Sequence, residues 1–92
     1  MSMKKAIITV VGKDQVGIIA KVCSYLAEAQ INILDISQTI LQGYFNMMMI
    51  VDTSDAKEDF SLIADQLQQL GESIGVNIKL QHEDIFNKMH RL

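Results

Sequence analysis

The stretch with the clearest potential for binding chemistry is Gly-Lys-Asp-Gln-Val-Gly at residues 12–17. It follows a β-branched run at residues 6–11 and precedes an amphipathic run that opens with Gly17. A strand, a glycine-bounded turn and a helix start leave backbone N–H groups pointing outward, where small anions and carboxylates bind. The simpler interpretation is a strand-to-helix turn with Asp14 as the helix N-cap. The stretch alone leaves both interpretations open.

The composition predicts one compact domain over residues 1–92 and excludes several classes of protein. The chain is 49% hydrophobic and contains no proline, so it offers no linker or low-complexity segment. A net charge of −3 with scattered basic residues argues against nucleic acid. The apolar run after Lys4-Lys5 is too short for a signal peptide or a membrane span, and the single cysteine, Cys23, fits a reducing compartment. We therefore expect a cytoplasmic protein without a membrane partner.

The titratable residues form no convincing catalytic or metal-binding pattern. His82, Glu83 and Asp84 are adjacent and His90 follows, but this spacing matches no familiar metal site. Cys23 lies beside the apolar stripe of the first helix and is interpreted as a small buried hydrophobe. We therefore expect a protein that is not an enzyme and that uses no metal or cofactor.

Hydrophobic periodicity predicts the order strand, helix, strand, strand, helix, strand and a helical tail. The second helix is expected to start at Ser54 or Asp55 and to end more readily at Gly71 than at Gly75. The other predicted elements are strand 5–11, helix 17–30, strand 31–42, a hairpin turn at Gln42-Gly43, strand 44–53, a strand around 76–81 and the tail 83–92.

This order predicts a ferredoxin-like βαββαβ sandwich of the α+β class, with a core over about residues 5–81. Its four-stranded antiparallel sheet would carry both helices on one face. Alternation in the second strand predicts Leu34, Ile36 and Ile40 on one face and Ile33 on the other, with Asp35, Ser37 and Thr39. An uncovered sheet face that carries methionine predicts self-association, with a dimer as the expected form.

At this level the sequence resembles the ACT domain, a small regulatory module that binds amino acids. The resemblance covers about Lys5 to Gln81 and rests on three segments, 7–19, 22–33 and 36–39 with the hairpin that follows. The sequence is similar to small stand-alone bacterial ACT proteins of the glycine cleavage repressor type. The resemblance implies chains paired side by side, with an amino acid held at their interface.

The resemblance also implies where the ligand binds: at the turn before the first helix and at the start of the second strand. Backbone N–H groups near Val16–Ile18 would take the carboxylate, and Asp14 with the Asn32 carbonyl would take the ammonium group. The sequence departs from the family pattern at two positions, since ligand-binding members often have Asn in place of Asp14 and Pro in place of Val16. The implied ligand-binding residues are Gly12, Asp14, Val16, Gly17, Ile18 and Asn32.

The expected function is a non-catalytic regulatory module that binds an amino acid and signals to a protein partner still to be identified. One alternative is a ligand-free pairing module, which the negative charge of Asp14 favours slightly. A second is an RNA-binding domain of the same fold, which would stack bases on aromatic residues of the open sheet face. Only Tyr44 and Phe45 lie near that region, and no basic rim accompanies them.

Overall fold

Six regular elements follow one another in the predicted order and form a ferredoxin-like fold. The computed structural model describes residues 4–13 and 17–83, so the predicted tail lies outside the described residues except for Glu83. Among the described residues, no helix has the length and apolar character needed to cross a bilayer. The elements are β1 (Lys5–Lys13), α1 (Ile18–Glu28), β2 (Asn32–Leu41), β3 (Tyr44–Asp52), α2 (Phe60–Ile74) and β4 (Val76–His82).

The four strands form one antiparallel sheet in the order β2-β3-β1-β4. The core lies between this sheet and the helices, where the apolar face of each central strand is buried. In β1, Ile8 and Val10 are fully buried, and in β3, Met47 and Met49 are. The predicted alternation of β3 is thereby confirmed, since its buried residues are Phe45, Met47, Met49 and Val51.

The two helices reach the core through apolar residues at three-to-four spacing. The buried residues of α1 are Ile18, Val22 and Leu26, and α2 buries Ile63 and Leu67. Each fully buried aliphatic side chain contributes about 1.5–3 kcal/mol relative to an exposed one.

The end of α1 is formed without a glycine. Ala29 is the C-cap, and Gln30 adopts a left-handed φ of 61°. The Ile31 N–H then donates to the Leu26 carbonyl at 2.9 Å, which closes the last turn and directs the chain into β2.

The start predicted for α2 is wrong. The helix begins at Phe60 with Asp59 as its N-cap, because Ser54 belongs to a tight turn instead. Asp52 Oδ1 accepts hydrogen bonds from the Ser54 backbone N–H at 3.0 Å and from Ser54 Oγ at 2.7 Å. A residue committed to this turn does not cap a helix.

The predicted end of α2 is also corrected. The helix continues to Ile74 and stops at Gly75, whose φ of 80° is the usual left-handed C-cap. Gly71 lies inside the helix at the contact with β4: a Cβ added there would lie 2.7 Å from the Val76 carbonyl oxygen. Close helix–strand packing, and not helix termination, explains this glycine.

A bulge changes the predicted faces of β2. The pairing with β3 shifts between Ile33 and Asp35, so Leu34 is an extra residue and the alternation restarts after it. Ile33 pairs with Val51, Ile36 with Met49 and Ile40 with Phe45, so all three isoleucines lie on the face that carries the helices. Simple period-two counting assigned Ile33 to the opposite face.

Candidate ligand site

Helix α1 begins directly after Gly17, which is its N-cap, at φ 90° and ψ 2°. The N-cap is therefore not Asp14. The Lys21 N–H donates to the Gly17 carbonyl at 3.0 Å, so the N–H groups of the three preceding helical residues have no partner within the helix. Among residues 4–13 and 17–83, no side chain caps this end, and the first turn of the helix contains no acidic residue. Residues 14–16, which include the predicted site residues Asp14 and Val16, lie outside the described residues.

Gly12 has a packing role and does not form part of this turn. β1 continues to Lys13, which places Gly12 inside the strand between Phe45 of β3 and Val76 of β4. A Cβ at Gly12 would lie 2.7 Å from Val76 Cγ1. The absent side chain therefore makes room for Val76, and this contact accounts for the glycine without a ligand.

A cavity of about 480 Å³ opens beside Gly17. Among the lining residues that the sheet contributes to this cavity, Phe45 is the most deeply buried, at 3% exposed. Ile40 is 57% exposed and Ile19 37% exposed, which is high for apolar side chains. Gln38 supplies the one polar side chain. The lining residues are Gly17, Ile18, Ile19, Ala20, Gln38, Ile40 and Phe45.

Sequence reasoning found Gly17 and Ile18 of this cavity but missed the residues contributed by β2 and β3. A signal for two of them was present: Gln38 and Ile40 are two positions apart and therefore share a strand face. Recognising that this face meets the helices required the pairing of Ile40 with Phe45, a buried residue of β3. Without the bulge, Ile33 would not lie on the same side as Ile36 and Ile40.

Within one chain, Asn32 lies at the opposite end of the sheet from Gly17. Asn32 pairs with Asp52 of β3, whereas Ile40 beside Gly17 pairs with Phe45. Seven residues of β3 separate these two levels, a distance of about 24 Å at about 3.4 Å per residue. Asn32 instead lines a separate cavity of about 680 Å³ with Cys23 and Gln30.

The environment of Asn32 is acidic. Hydrogen bonds from the backbone and side chain of Ser54 hold the pKa of Asp52 below its usual value. Asp55 also lines the cavity in which Asn32 lies. Cys23, expected to be buried, is half-buried and lines the same cavity.

A third cavity, of about 570 Å³, lies at the start of α2. There the rings of Phe60 and His82 stack with centroids 3.8 Å apart and planes at 11°. Its rim carries charges of both signs, including Lys5 and Glu58. In the part of the chain that the structure describes, no three His, Cys, Asp or Glu side chains come close enough to hold a metal ion.

Comparison with known proteins identifies the family. The model of the ACT domain matches residues 4–81. The chain belongs to the ACT domain family. Its relatives include a UPF0237 protein of Bifidobacterium longum, which is 61% identical over 90 residues, a span of 98% of this chain and 100% of the relative.

Solved ACT structures share the fold over nearly the whole chain. An ACT domain protein from Streptococcus pneumoniae superposes with a TM-score of 0.80 at 48% identity, over 94% of this chain and 96% of that one. A protein assigned as a glycine cleavage system transcriptional repressor gives a TM-score of 0.77 at 22% identity, over 89% of this chain and 47% of that one. The predicted resemblance to small ACT proteins is confirmed, and the repressor shares the fold. ACT domains are typically ligand-binding regulatory modules.

Proposed function

We propose that this ACT domain is a non-catalytic, cytoplasmic regulatory module that pairs through β2 and binds an amino acid where two chains meet. The observation that carries the proposal is the state of β2. All ten of its residues are exposed, although it is part of the sheet. One of its edges pairs with β3, and none of the other described strands lies beside its second edge.

The apolar residues of β2 support pairing with a second copy. Ile33, Ile36 and Ile40 lie on the helix-bearing face but remain 40–57% exposed. An exposed edge strand with unpaired backbone groups and a row of isoleucines is a template for another strand. A symmetric dimer uses the same patch on both chains, so β2 would pair antiparallel with β2 of the partner.

Such a pairing would also bring Asn32 of one chain near Gly17 of the other. With a two-fold axis between Ile36 and Ser37, the partner's Asn32 falls at the level of Ile40, which lines the cavity beside Gly17. The ammonium group of an amino acid would then meet the partner's Asn32, while its carboxylate meets the free N–H groups of α1. Of the residues named for the site, Asp14, Val16, Gly17 and Ile18 would come from one chain and Asn32 from the other, and Gly12 would serve packing.

The regulatory mechanism that follows is linkage. A ligand that contacts both chains favours the paired arrangement, and a partner protein that recognises this arrangement then responds to ligand concentration. An ACT domain that pairs without a ligand is the competing function, because the exposure of β2 supports pairing whether or not an amino acid binds.

The test is thermal unfolding of the pure protein against each of the twenty amino acids at millimolar concentration. A ligand present at 100 times its dissociation constant stabilises the folded state by about 2.7 kcal/mol. For a domain of this size that corresponds to a rise in Tm of roughly 10 °C or more. A rise in Tm confined to a few amino acids supports the proposal. No rise with any of them favours the competing function, an ACT domain that pairs without a ligand.

Pairing itself is tested by sedimentation of Ile36→Lys against Leu62→Lys. Both side chains are exposed to a similar extent, 44% and 40%, but Leu62 lies on α2. A charge on the β2 patch should convert dimers to monomers, because burying an unpaired ammonium group at an interface is strongly unfavourable. Leu62→Lys should leave the dimer unchanged. A wild-type protein that sediments as a monomer at all concentrations, or an Ile36→Lys dimer, would contradict pairing through β2.

A further inference from the structure

We propose that residues 84–92 of the C-terminal tail pack across the sheet face that lies opposite the helices, here called the open face. The tail would cover the end of this face at which Ile7 lies and leave the other end exposed. This inference goes beyond the proposed function, because neither pairing through β2 nor ligand binding requires it.

The burial of Ile7 carries the inference. Ile7 stands between Ala6 and Ile8 of β1, whose side chains belong to the core, so its own side chain lies on the open face. It is nevertheless 5% exposed, although it is not part of the cluster that the sheet and the helices bury between them. In the part of the chain that the structure describes, both helices contribute to that cluster and so pack on the other face.

The neighbouring strands do not account for this burial. Ile7 pairs with Ile50 of β3 and with Gln81 of β4. Met48 also lies on the open face with a strand on each side, and it remains 39% exposed. Val11, four residues further along β1, is 47% exposed. A central position in the sheet therefore leaves a side chain of the open face accessible, and a further segment covers Ile7.

The tail begins close to Ile7. β4 runs antiparallel to β1 and ends at His82, which pairs with Ala6, the residue before Ile7. Glu83, the last residue that the structure describes, is already helical. The chain therefore leaves the sheet beside Ile7 and continues into residues 84–92.

The other two segments outside the described residues do not fit this position. Residues 14–16 follow Lys13, six positions beyond Ile7 along β1, which is about 20 Å at about 3.3 Å per residue. Residues 1–3 precede Lys4, whose carbonyl accepts a hydrogen bond from the Thr53 N–H and so prolongs the pairing of β1 with β3. Three residues are fewer than the four of a β-turn, which a return over Ile7 would require.

The sequence of the tail suits the open face. As a helix, its nine residues would span about 14 Å, or about three strand spacings, so it would cross from β4 over β1 and β3 to β2. Its basic end, with Arg91, would then meet Asp35, which pairs with Ile50 and carries the negative charge of β2 on this face. The apolar residues of the tail recur on one helical side and would face the sheet: Ile85, Phe86, Met89 and Leu92.

A tail in this position limits what the open face can bind. It covers Ile7 and the half-buried Ile50, so the exposed apolar strand of the molecule is β2. It also occupies part of the surface on which RNA-binding domains of the same fold stack bases. Association is thereby directed to the edge of the sheet and away from its open face.

The experiment uses tryptophan fluorescence of the full chain, which contains no tryptophan of its own. Phe86→Trp places a reporter on the apolar side of the tail, and Asn87→Trp, the matched control, places it on the opposite side. Emission of the Phe86→Trp protein should be shifted to shorter wavelength, and acrylamide should quench it several-fold less than the Asn87→Trp protein. Equal emission and equal quenching in the two variants would overturn the proposal.

A second substitution in the Phe86→Trp protein locates the contact. Ile50→Lys lies at the level of Ile7, whereas Val11→Lys, its control, lies four residues from Ile7 on the same face. Ile50→Lys should raise quenching to the level of the Asn87→Trp protein, and Val11→Lys should leave the reporter protected. Ile50→Ser is the milder variant to use if circular dichroism shows that Ile50→Lys does not fold. A reporter that stays protected in the folded Ile50 variant would refute this placement.

Dilution distinguishes the tail of the same chain from a second copy on the open face. A contact within one chain does not depend on protein concentration, so the reporter should stay protected at every concentration and also in Ile36→Lys. Protection that disappears on dilution would assign the open face to a second copy and overturn the proposal. None of these measurements involves an amino acid ligand or requires pairing through β2, so the proposed function is tested separately.

Discussion

Substitution of Gly71 by alanine tests the closeness of α2 and β4, which sets the shape of the whole sandwich. Gly71 is buried in the last turn of α2, facing the start of β4. A Cβ there would lie 2.7 Å from the Val76 carbonyl oxygen, 3.0 Å from Ile78 Cγ1 and 3.2 Å from the Ile78 nitrogen. Two of these three atoms are backbone, so the strand cannot avoid the new methyl group by a rotamer change.

The expected cost follows from two opposing terms. Overpacking a tight contact costs about 1–3 kcal/mol, and contact with backbone places this site near the upper value. Alanine is favoured over glycine inside a helix by about 1 kcal/mol. The net expectation is a loss of about 2 kcal/mol in the free energy of unfolding.

Urea denaturation followed by circular dichroism measures this loss. The midpoint should fall by about 1–2 M with an unchanged slope, since the slope for a small protein is about 1–3 kcal/mol/M. Glu72→Ala is the control: it is the next residue of the same helix, is exposed, and should change stability by less than about 0.5 kcal/mol. A Gly71→Ala protein as stable as the wild type would refute the argument, because helix propensity would then outweigh the contact with β4.

Two titratable groups give further predictions. Hydrogen bonds from Ser54 lower the pKa of Asp52 from 3.8, so the stabilisation is present above that pH and should be lost as the pH falls below about 4. Urea midpoints between pH 6 and 3 should therefore fall less for Asp52→Asn than for the wild type, and equal slopes would contradict this assignment. The Tyr25 hydroxyl donates to Gln66 Oε1 at 2.5 Å, and burial, with a smaller effect of Glu58, raises the pKa of Tyr25 above 10.0. Tyr25→Phe should cost about 0.5–1.5 kcal/mol at pH 7. The wild type, but not Tyr25→Phe, should lose this part of its stability as the pH rises above about 10, as measured by thermal unfolding.

Periodicity and turn chemistry were sufficient to predict the order of the elements. The alternation of Phe45, Met47, Met49 and Val51 specified the buried face of β3, and Gln42-Gly43 predicted the hairpin, where both residues have positive φ. Tertiary contacts decided the points at which prediction failed. Gly71 has the sequence signal of a helix end, yet it lies within α2, and the close approach of β4 is what requires a glycine there. The sequence around Gly71 does not indicate that β4 lies so close to the helix.

The candidate site was predictable only on the side formed by consecutive residues. Gly17 and Ile18 follow from the strand–turn–helix pattern, since the open N-terminus is a local property of the backbone. Ile40 and Phe45 reach the same cavity because they are opposite each other in the sheet, and the bulge at Leu34 adds Ile33 to their face. Asn32 was expected beside Gly17 from the family resemblance, and in a single chain its level in the sheet lies about 24 Å from that of Ile40 by the strand spacing.

The exposure of β2 makes the solubility of this protein depend on whether its chains are paired. The strand has one charged residue, Asp35, no lysine and no proline, so it lacks most of the features by which natural sheets discourage irregular strand addition. The bulge at Leu34 and the charge of Asp35 are the two such features that β2 does have. A chain that is not paired carries a ten-residue exposed edge, and heating should lead to aggregates that form through β2 before the core unfolds.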